Sequence, residues 1–375
     1  MKICLMANAW SIHTKRWSRF FLDKGHEVHI ISKGGFNGDP VDGVELHIVD
    51  KITDKPGIIS EIRNLKHLTS QVKRLIREVH PDIINAHYIS VYGVVAASTG
   101  FHPYVATVWG SDVLQDIKKS PQVRISVKRA LAKADRITLA ADHLEAHLIN
   151  NLGVPPPQIV KIPWGVDLSI FHQGYVDEVE RMRSKLDIDP SSKVVLSNRS
   201  HHPIYNIENI VRSIPLVLDS FKDVKFVLLQ GAGENEYTAK IRDQIKSMGI
   251  EANVRIVTEM LSPRDMAIAD NMADAFISIP SSDQFGLTIL EAMACGPVPI
   301  VSNLPGYGQY LVDGKNALFV DQTDPRDVAD GVVNALSDEQ MKKDFFERNL
   351  PIVTEKENWE KNATRMESLF LDLIS

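Results

Sequence analysis

Cysteine is nearly absent from this 375-residue chain: Cys4 and Cys295 stand alone, each within an apolar run and far from the other. That spacing excludes a disulfide framework and a cysteine zinc knuckle, and it fits a reducing compartment. Long hydrophobic runs are missing as well. No window approaches the roughly 20 apolar residues that a membrane-spanning helix needs, and the apolar stretch near Met1 is too short for a signal peptide. The expectation is a cytoplasmic protein, with any membrane contact peripheral, on the inner face of the plasma membrane. Repeats and low-complexity tracts are lacking too. The remainder is ordinary, with 44% hydrophobic residues, 24% charged, 21 Gly and 19 Pro, and this excludes disordered, collagen-like and coiled-coil chains. The length exceeds one ordinary core and points to two domains.

A net charge of −6 hides an asymmetry. Residues 1–170 hold 21 Lys and Arg against 16 Asp and Glu, leaving 21 against 32 in the rest, so the two parts carry +5 and −11. Ten of the 13 histidines also lie in the first part. The first part is thus better suited to an anionic partner.

Short β-branched runs alternate with amphipathic helical stretches. The first series of strands is expected at residues 3–6, 28–32, 46–49, 83–86, 105–109, 137–139 and 159–162, the second at 194–197, 226–230, 255–257, 275–279, 298–301 and 318–320. Several are apolar throughout, as in parallel sheets covered on both faces. The pattern predicts two doubly wound, Rossmann-like α/β domains facing across a central cleft, with ligands at the carboxyl ends of the strands. The domains are expected at 1–170 and 171–355, with a C-terminal helix over 356–375 packing back on the first. The turn formers of Pro163-Trp164-Gly165-Val166-Asp167 and the polar stretch 177–193 mark the hinge.

The most informative stretch follows the strand ending at Ile279. Residues 280–286 read as a loop and 287–295 as a helix stopped by Gly296 and Pro297. Such a helix N-terminus presents unpaired backbone N–H groups and suits a diphosphate. Glu291, about a turn in, is placed to accept hydrogen bonds from a vicinal diol such as a ribose, and Asp283 is placed to hold a sugar hydroxyl. A dinucleotide-dependent oxidoreductase is excluded, because residues 8–14 contain no glycine and Gly231-Ala232-Gly233 lacks the third glycine of its fingerprint. A nucleic-acid enzyme is disfavoured by the negative charge and the lack of a basic-aromatic motif. Asp187-Ile188-Asp189 reads as a solvated linker rather than a metal-binding motif.

These residues resemble the retaining nucleotide-sugar glycosyltransferases of family 4, group 1, which have the GT-B fold. The family signature is a pair of acids with seven residues between them, around Gly-Phe-Gly-Leu, followed by Glu-Ala-Met-Ala-Cys-Gly. Here Asp283 and Glu291 are so spaced, with Phe285-Gly286-Leu287 between them and residues 291–296 matching in full. Residues 163–167 match the family's hinge motif, and Gly25-His26-Glu27-Val28, Leu152-Gly153-Val154-Pro155 and 312–316 also fit.

The resemblance implies that Glu291 binds the donor ribose, that Phe285, Gly286, Leu287 and Thr288 approach the diphosphate and sugar, and that Asp283 touches the transferred sugar. Arg199 would neutralise the diphosphate in place of a metal, so neither metal nor cofactor is expected beyond the UDP- or GDP-linked sugar itself. Three departures stand out. Asp283 replaces the usual Glu, Tyr205 the Lys that partners the Arg, and Trp109 the His before Gly110. Trp109 offers an aromatic face to carbohydrate, and His87 is then the better cleft histidine. Ser11, His13, Asp112, His201 and His202 are candidates for phosphate or acceptor contacts. The implied activity is retaining transfer of a hexosyl group to a saccharide, lipid-linked or small hydroxyl acceptor, in polysaccharide or glycolipid synthesis. The alternatives are an epimerase or phosphorylase of the same fold, or a non-enzymatic two-lobed sugar-binding protein. Arg124, Lys128, Arg129 and Lys133 line one half of a helix opposite Val127, Ala130 and Leu131, and could meet an anionic membrane surface.

Overall fold

The computed structural model describes residues 1–34, 41–53, 57–283 and 285–375; Gln284 of the acid-pair motif lies outside them. The chain divides into two compact units, Met1–Pro163 with Glu360–Ser375, and Trp164–Trp359.

The first unit is built on β1 (Lys2–Met6), β2 (Glu27–Lys33), β3 (Glu45–Val49), β4 (Ile83–His87), β5 (Tyr104–Thr107), β6 (Arg136–Leu139) and β7 (Ile159–Lys161). They form one parallel sheet in the order β3-β2-β1-β4-β5-β6-β7. β4 is buried along its whole length, as a strand covered on both faces must be. The helix Ile12–Asp23 begins where Ser11 Oγ accepts from the His13 N–H. The closing helix Trp359–Ile374 belongs to this unit's core: Phe370 is fully buried and stacks on Phe21 at 5.4 Å. His26 Nε2 and Glu367 Oε1 add a hydrogen bond of 2.7 Å.

The second unit carries β8 (Lys193–Ser197), β9 (Val224–Leu229), β10 (Val254–Val257), β11 (Ala275–Ser278), β12 (Val298–Ser302) and β13 (Leu318–Val320). Their order is β10-β9-β8-β11-β12-β13, again parallel. Two of its helices start on Ser262-Pro263 and Asp324-Pro325, a capping side chain followed by a proline at the first helical position. The polar stretch expected to be hinge instead contains a helix, Val176–Lys185. Val179 and Met182 supply its thin apolar face, which is why the sequence hides it. Asp187 pairs with Arg255 at 3.2 Å and Asp189 caps Ser191, so the acidic pair after that helix is tied into local structure.

Within this unit the turn at Gly165 is paired with the returning chain. Val166 N–H donates to Glu357 O at 2.6 Å and Trp359 N–H to Val166 O at 2.9 Å. Gly165 has φ +65°, and a Cβ there would lie 2.5 Å from Glu357 O, so conformation and space both demand glycine.

Candidate active site

In an open parallel sheet the strand order reverses at one point, and the loops leaving the carboxyl ends there diverge to leave a crevice. In the second unit that point lies between β8 and β11. Arg199 follows β8 and Asp283 follows β11. Their side chains meet in an ion pair of 2.9 Å in which both are largely buried. The guanidinium also donates to Thr288 Oγ1 at 3.0 Å and lies over the Tyr205 ring, 4.2 Å from its centroid. Tyr205, which can offer no charge, thus holds the cation by its ring face. Tyr307 O–H donates to the same Asp283 oxygen at 3.1 Å.

Gly286 precedes the helix Leu287–Cys295. A Cβ on it would stand 2.5 Å from Arg199 Nη1 and 2.9 Å from Asp283 Oδ2, so only glycine lets the guanidinium reach the helix start. Gly286 at the cap position has no side chain to bond the first N–H groups, and the positive end of the helix adds to the Arg199 charge. Leu287 and Thr288 are its first residues, Phe285 packs edge-on against Tyr307 and Tyr310, and Glu291 lies one turn further, half-buried.

Sequence reasoning overlooked Asp270, which is fully buried, with one oxygen 3.5 Å from Asn198 Nδ2. Burial, then the Glu291 carboxylate, push its pKa well above the usual carboxylate range. It favours the neutral acid, which can donate a hydrogen bond where a carboxylate cannot. The pattern gave little sign of it, since an acid in an amphipathic helix reads as solvated.

Two of the proposed phosphate contacts stand apart from this cluster. His201 is fully buried and bonds Thr238 Oγ1 at 3.0 Å. Burial, then Arg242, lower its pKa to about 4, so it brings no positive charge at neutral pH. His202 is exposed, and its Nδ1 accepts from the Ile204 N–H.

In the first unit the order reverses between β1 and β4. A pocket of about 950 Å³ opens there, lined among others by Ser11, His13, Lys33, Lys51, His87 and Trp109. His87, expected as a cleft histidine, is fully committed. It is 1% exposed, its Nε2 lies 2.8 Å from Asn85 Oδ1, and its Nδ1 receives the Trp109 indole N–H at 3.2 Å. Asn85 Nδ2 in turn donates to Val105 O at 3.2 Å, a pure acceptor, which fixes the amide orientation and hence the His87 proton on Nε2. Burial, then His13, lower its pKa to about 3, and burial, then Arg16, take His13 to about 4. His87 is therefore a neutral support for Trp109, not a free base. The Trp109 ring is framed edge-on by His13 at 5.5 Å and by Tyr88 at 6.1 Å.

Asp112 has no exposed surface to offer a phosphate or acceptor. Its carboxylate accepts from the backbone N–H groups of Ile89, Trp109 and Gly110, and so shapes the loop that carries Trp109. Burial raises its pKa to about 6 against the pull of those bonds.

Two family models match the chain, Glycosyl transferase 4-like over residues 2–141 and Glycosyl transferases group 1 over residues 178–349. The chain is a family 4, group 1 glycosyltransferase. This glycosyltransferase is 21% identical to N-acetyl-alpha-D-glucosaminyl L-malate synthase of Bacillus anthracis, over 94% of its own chain and 91% of the relative. It is 23% identical to D-inositol 3-phosphate glycosyltransferase of Corynebacterium glutamicum, over 69% of its own chain and 62% of that one. The solved structure of Anabaena HepE in complex with UDP and glucose superposes with a TM-score of 0.79, at 16% identity and full coverage of both chains. The glycosyltransferase thus has the GT-B type of fold, two Rossmann-like parallel sheets with interleaved helices.

Proposed function

We propose that this glycosyltransferase moves a hexosyl group from a nucleoside diphosphate sugar to a hydroxyl acceptor with retention at the anomeric carbon, without a metal. The observation that carries the reading is the Arg199 guanidinium, clamped by Asp283, Thr288 and Tyr205 against the N-terminus of the helix Leu287–Cys295 at the switch point of the second sheet. As the bond from the anomeric carbon to the diphosphate oxygen breaks, negative charge grows on the leaving phosphate. A fixed cation and helix dipole stabilise that charge without reorganising, the role a divalent ion plays elsewhere. The acceptor oxygen bonds to the anomeric carbon on the same face, and its proton passes to the departing phosphate. Glu291 holds the ribose diol, Asp283 the transferred sugar. The donor is UDP- or GDP-linked, and the UDP held by Anabaena HepE favours uridine.

The acceptor is assigned to the first unit's pocket, where Lys33 and Lys51 line the wall and Trp109 presents its ring. The malate and inositol 3-phosphate in the relatives' names are anionic, in keeping with the excess of positive charge in residues 1–170. An acidic small molecule or a lipid-linked acceptor in an anionic membrane fits both.

Thermal shift with UDP, GDP and their sugars tests the donor, because a ligand at 100 times its Kd adds about 2.7 kcal/mol of stability. UDP is expected to raise the melting temperature of the wild type and to do so far less in Arg199→Ala, with turnover falling about 100- to 1000-fold. Equal shifts and equal turnover in both would remove Arg199 from the site.

A further inference from the structure

Away from the carboxyl ends of the first sheet, β2 and β3 bring three metal-ligating side chains to one point. The parallel register pairs His29 with Glu45 and Ile31 with His47, so His29, Glu45 and His47 all project from the same face of neighbouring strands. Their ligand atoms lie within 4.8 Å of one another. His29 Nδ1 is 3.1 Å from His47 Nε2 and 3.3 Å from Glu45 Oε2. Ligands bound at about 2.0–2.1 Å in a tetrahedron stand about 3.3–3.4 Å apart, so the 3.3 Å separation matches an edge of a zinc coordination shell and the 3.1 Å one is about 0.2 Å short of it.

The protonation pattern points the same way. On its other side, His29 Nε2 lies 2.9 Å from Glu27 Oε1, a carboxylate also paired with Lys2 at 3.0 Å. That contact keeps the proton on Nε2 and leaves the Nδ1 lone pair facing His47 and the Glu45 carboxylate. Either a proton on His47 Nε2 or a metal cation between the three ligand atoms satisfies that lone pair. A carboxylate behind a histidine is also the usual way a ligating imidazole is oriented and made more basic. His29 is buried while Glu45 is exposed, so the site is anchored at one side and open to water at the other.

We propose that His29 Nδ1, His47 Nε2 and the Glu45 carboxylate form a binding site for a divalent transition metal of the zinc class, with Glu27 orienting His29 and water completing the shell. The choice of metal follows from the ligands: two imidazoles and a carboxylate suit zinc, copper or nickel over magnesium or calcium. The ion would clamp β3, the edge strand, to β2. Val49, at the far end of β3, and the following Asp50 and Lys51 line the pocket wall, so the clamp steadies that wall without touching the reacting groups.

The test is zinc titration by calorimetry on the metal-stripped, full-length chain without a histidine tag, with cobalt absorption to report geometry. One zinc per chain and tetrahedral cobalt bands are expected. Because His47 is half-buried and Glu45 exposed, His47→Gln and Glu45→Gln can be made without emptying the core. His47→Gln is expected to lower zinc affinity by about 100-fold or more, and Glu27→Gln by about 10- to 100-fold. Failure of the wild type to bind, or unchanged affinity in both His47→Gln and Glu45→Gln, would show that a shared proton holds the cluster and overturn the proposal.

Discussion

Arg199 reaches an acid, a hydroxyl and an aromatic face at once, and this convergence explains why its neighbour must be glycine. Gly286→Ala places a methyl 2.5 Å from Nη1, and the far end of a long side chain is the part most able to move. The guanidinium is expected to shift by about an ångström, a displacement that can cost about 100-fold in rate, with little change in melting temperature. Steady-state kinetics beside thermal melts check this; a large loss of stability with normal turnover would contradict it. His87 gives a second expectation. Its folded pKa of about 3 lies below the unfolded 6.5, so the unfolded chain takes the proton first. The stabilisation is present above pH 6.5 and is lost as the pH falls toward 3, at about 1.4 kcal/mol per pH unit. Asp112, raised to about 6, acts with the opposite sign; its contribution fades as the pH rises through 6. Nitrogen NMR should find the His87 ring neutral with its proton on Nε2 down to pH 5, and titration near 6.5 would refute the bonding pattern. Asp283 and Glu291 were legible as candidates because their motif is contiguous. Asp270 and Tyr307 were not, because each comes to the cluster from another element and carries no local signal.

At the scale of elements, all thirteen strands stand where apolar runs predicted them. Parallel strands covered on both faces are hard to disguise, since most of their positions are apolar. The helix Val176–Lys185 escaped notice for the converse reason, its contact face being only two or three side chains wide. The His29, Glu45 and His47 cluster was equally hidden, because strand register is not written in either strand alone. The helix Trp359–Ile374 shows how much one element can contribute. Phe370 is wholly buried against Phe21, so Phe370→Ala is expected to lower stability by about 3–5 kcal/mol. Urea denaturation measures the change, and a loss below about 1 kcal/mol would mean that this helix is not part of the first unit's core.

For the molecule as a whole, the charge asymmetry has a structural counterpart. Arg124, Lys128, Arg129 and Lys133 are exposed on the helix Pro121–Ala132 and its cap, with Ile125 on the same outer surface, while Val127, Ala130 and Leu131 face the core. A basic face with an exposed apolar residue fits an anionic lipid surface. The double change Lys128→Glu and Arg129→Glu is expected to abolish co-sedimentation with phosphatidylserine vesicles at low salt while leaving the UDP thermal shift unchanged. Sedimentation equal to wild type would rule this face out. The placement of the last helix also has a consequence for how the molecule is made. The first unit is sealed by residues that the ribosome reaches only after Trp164–Trp359 has been synthesised. At about 5–20 residues per second this leaves the rest of the first unit without its closing helix for about 10 to 40 s, so the nascent first unit waits, open, for the second to emerge.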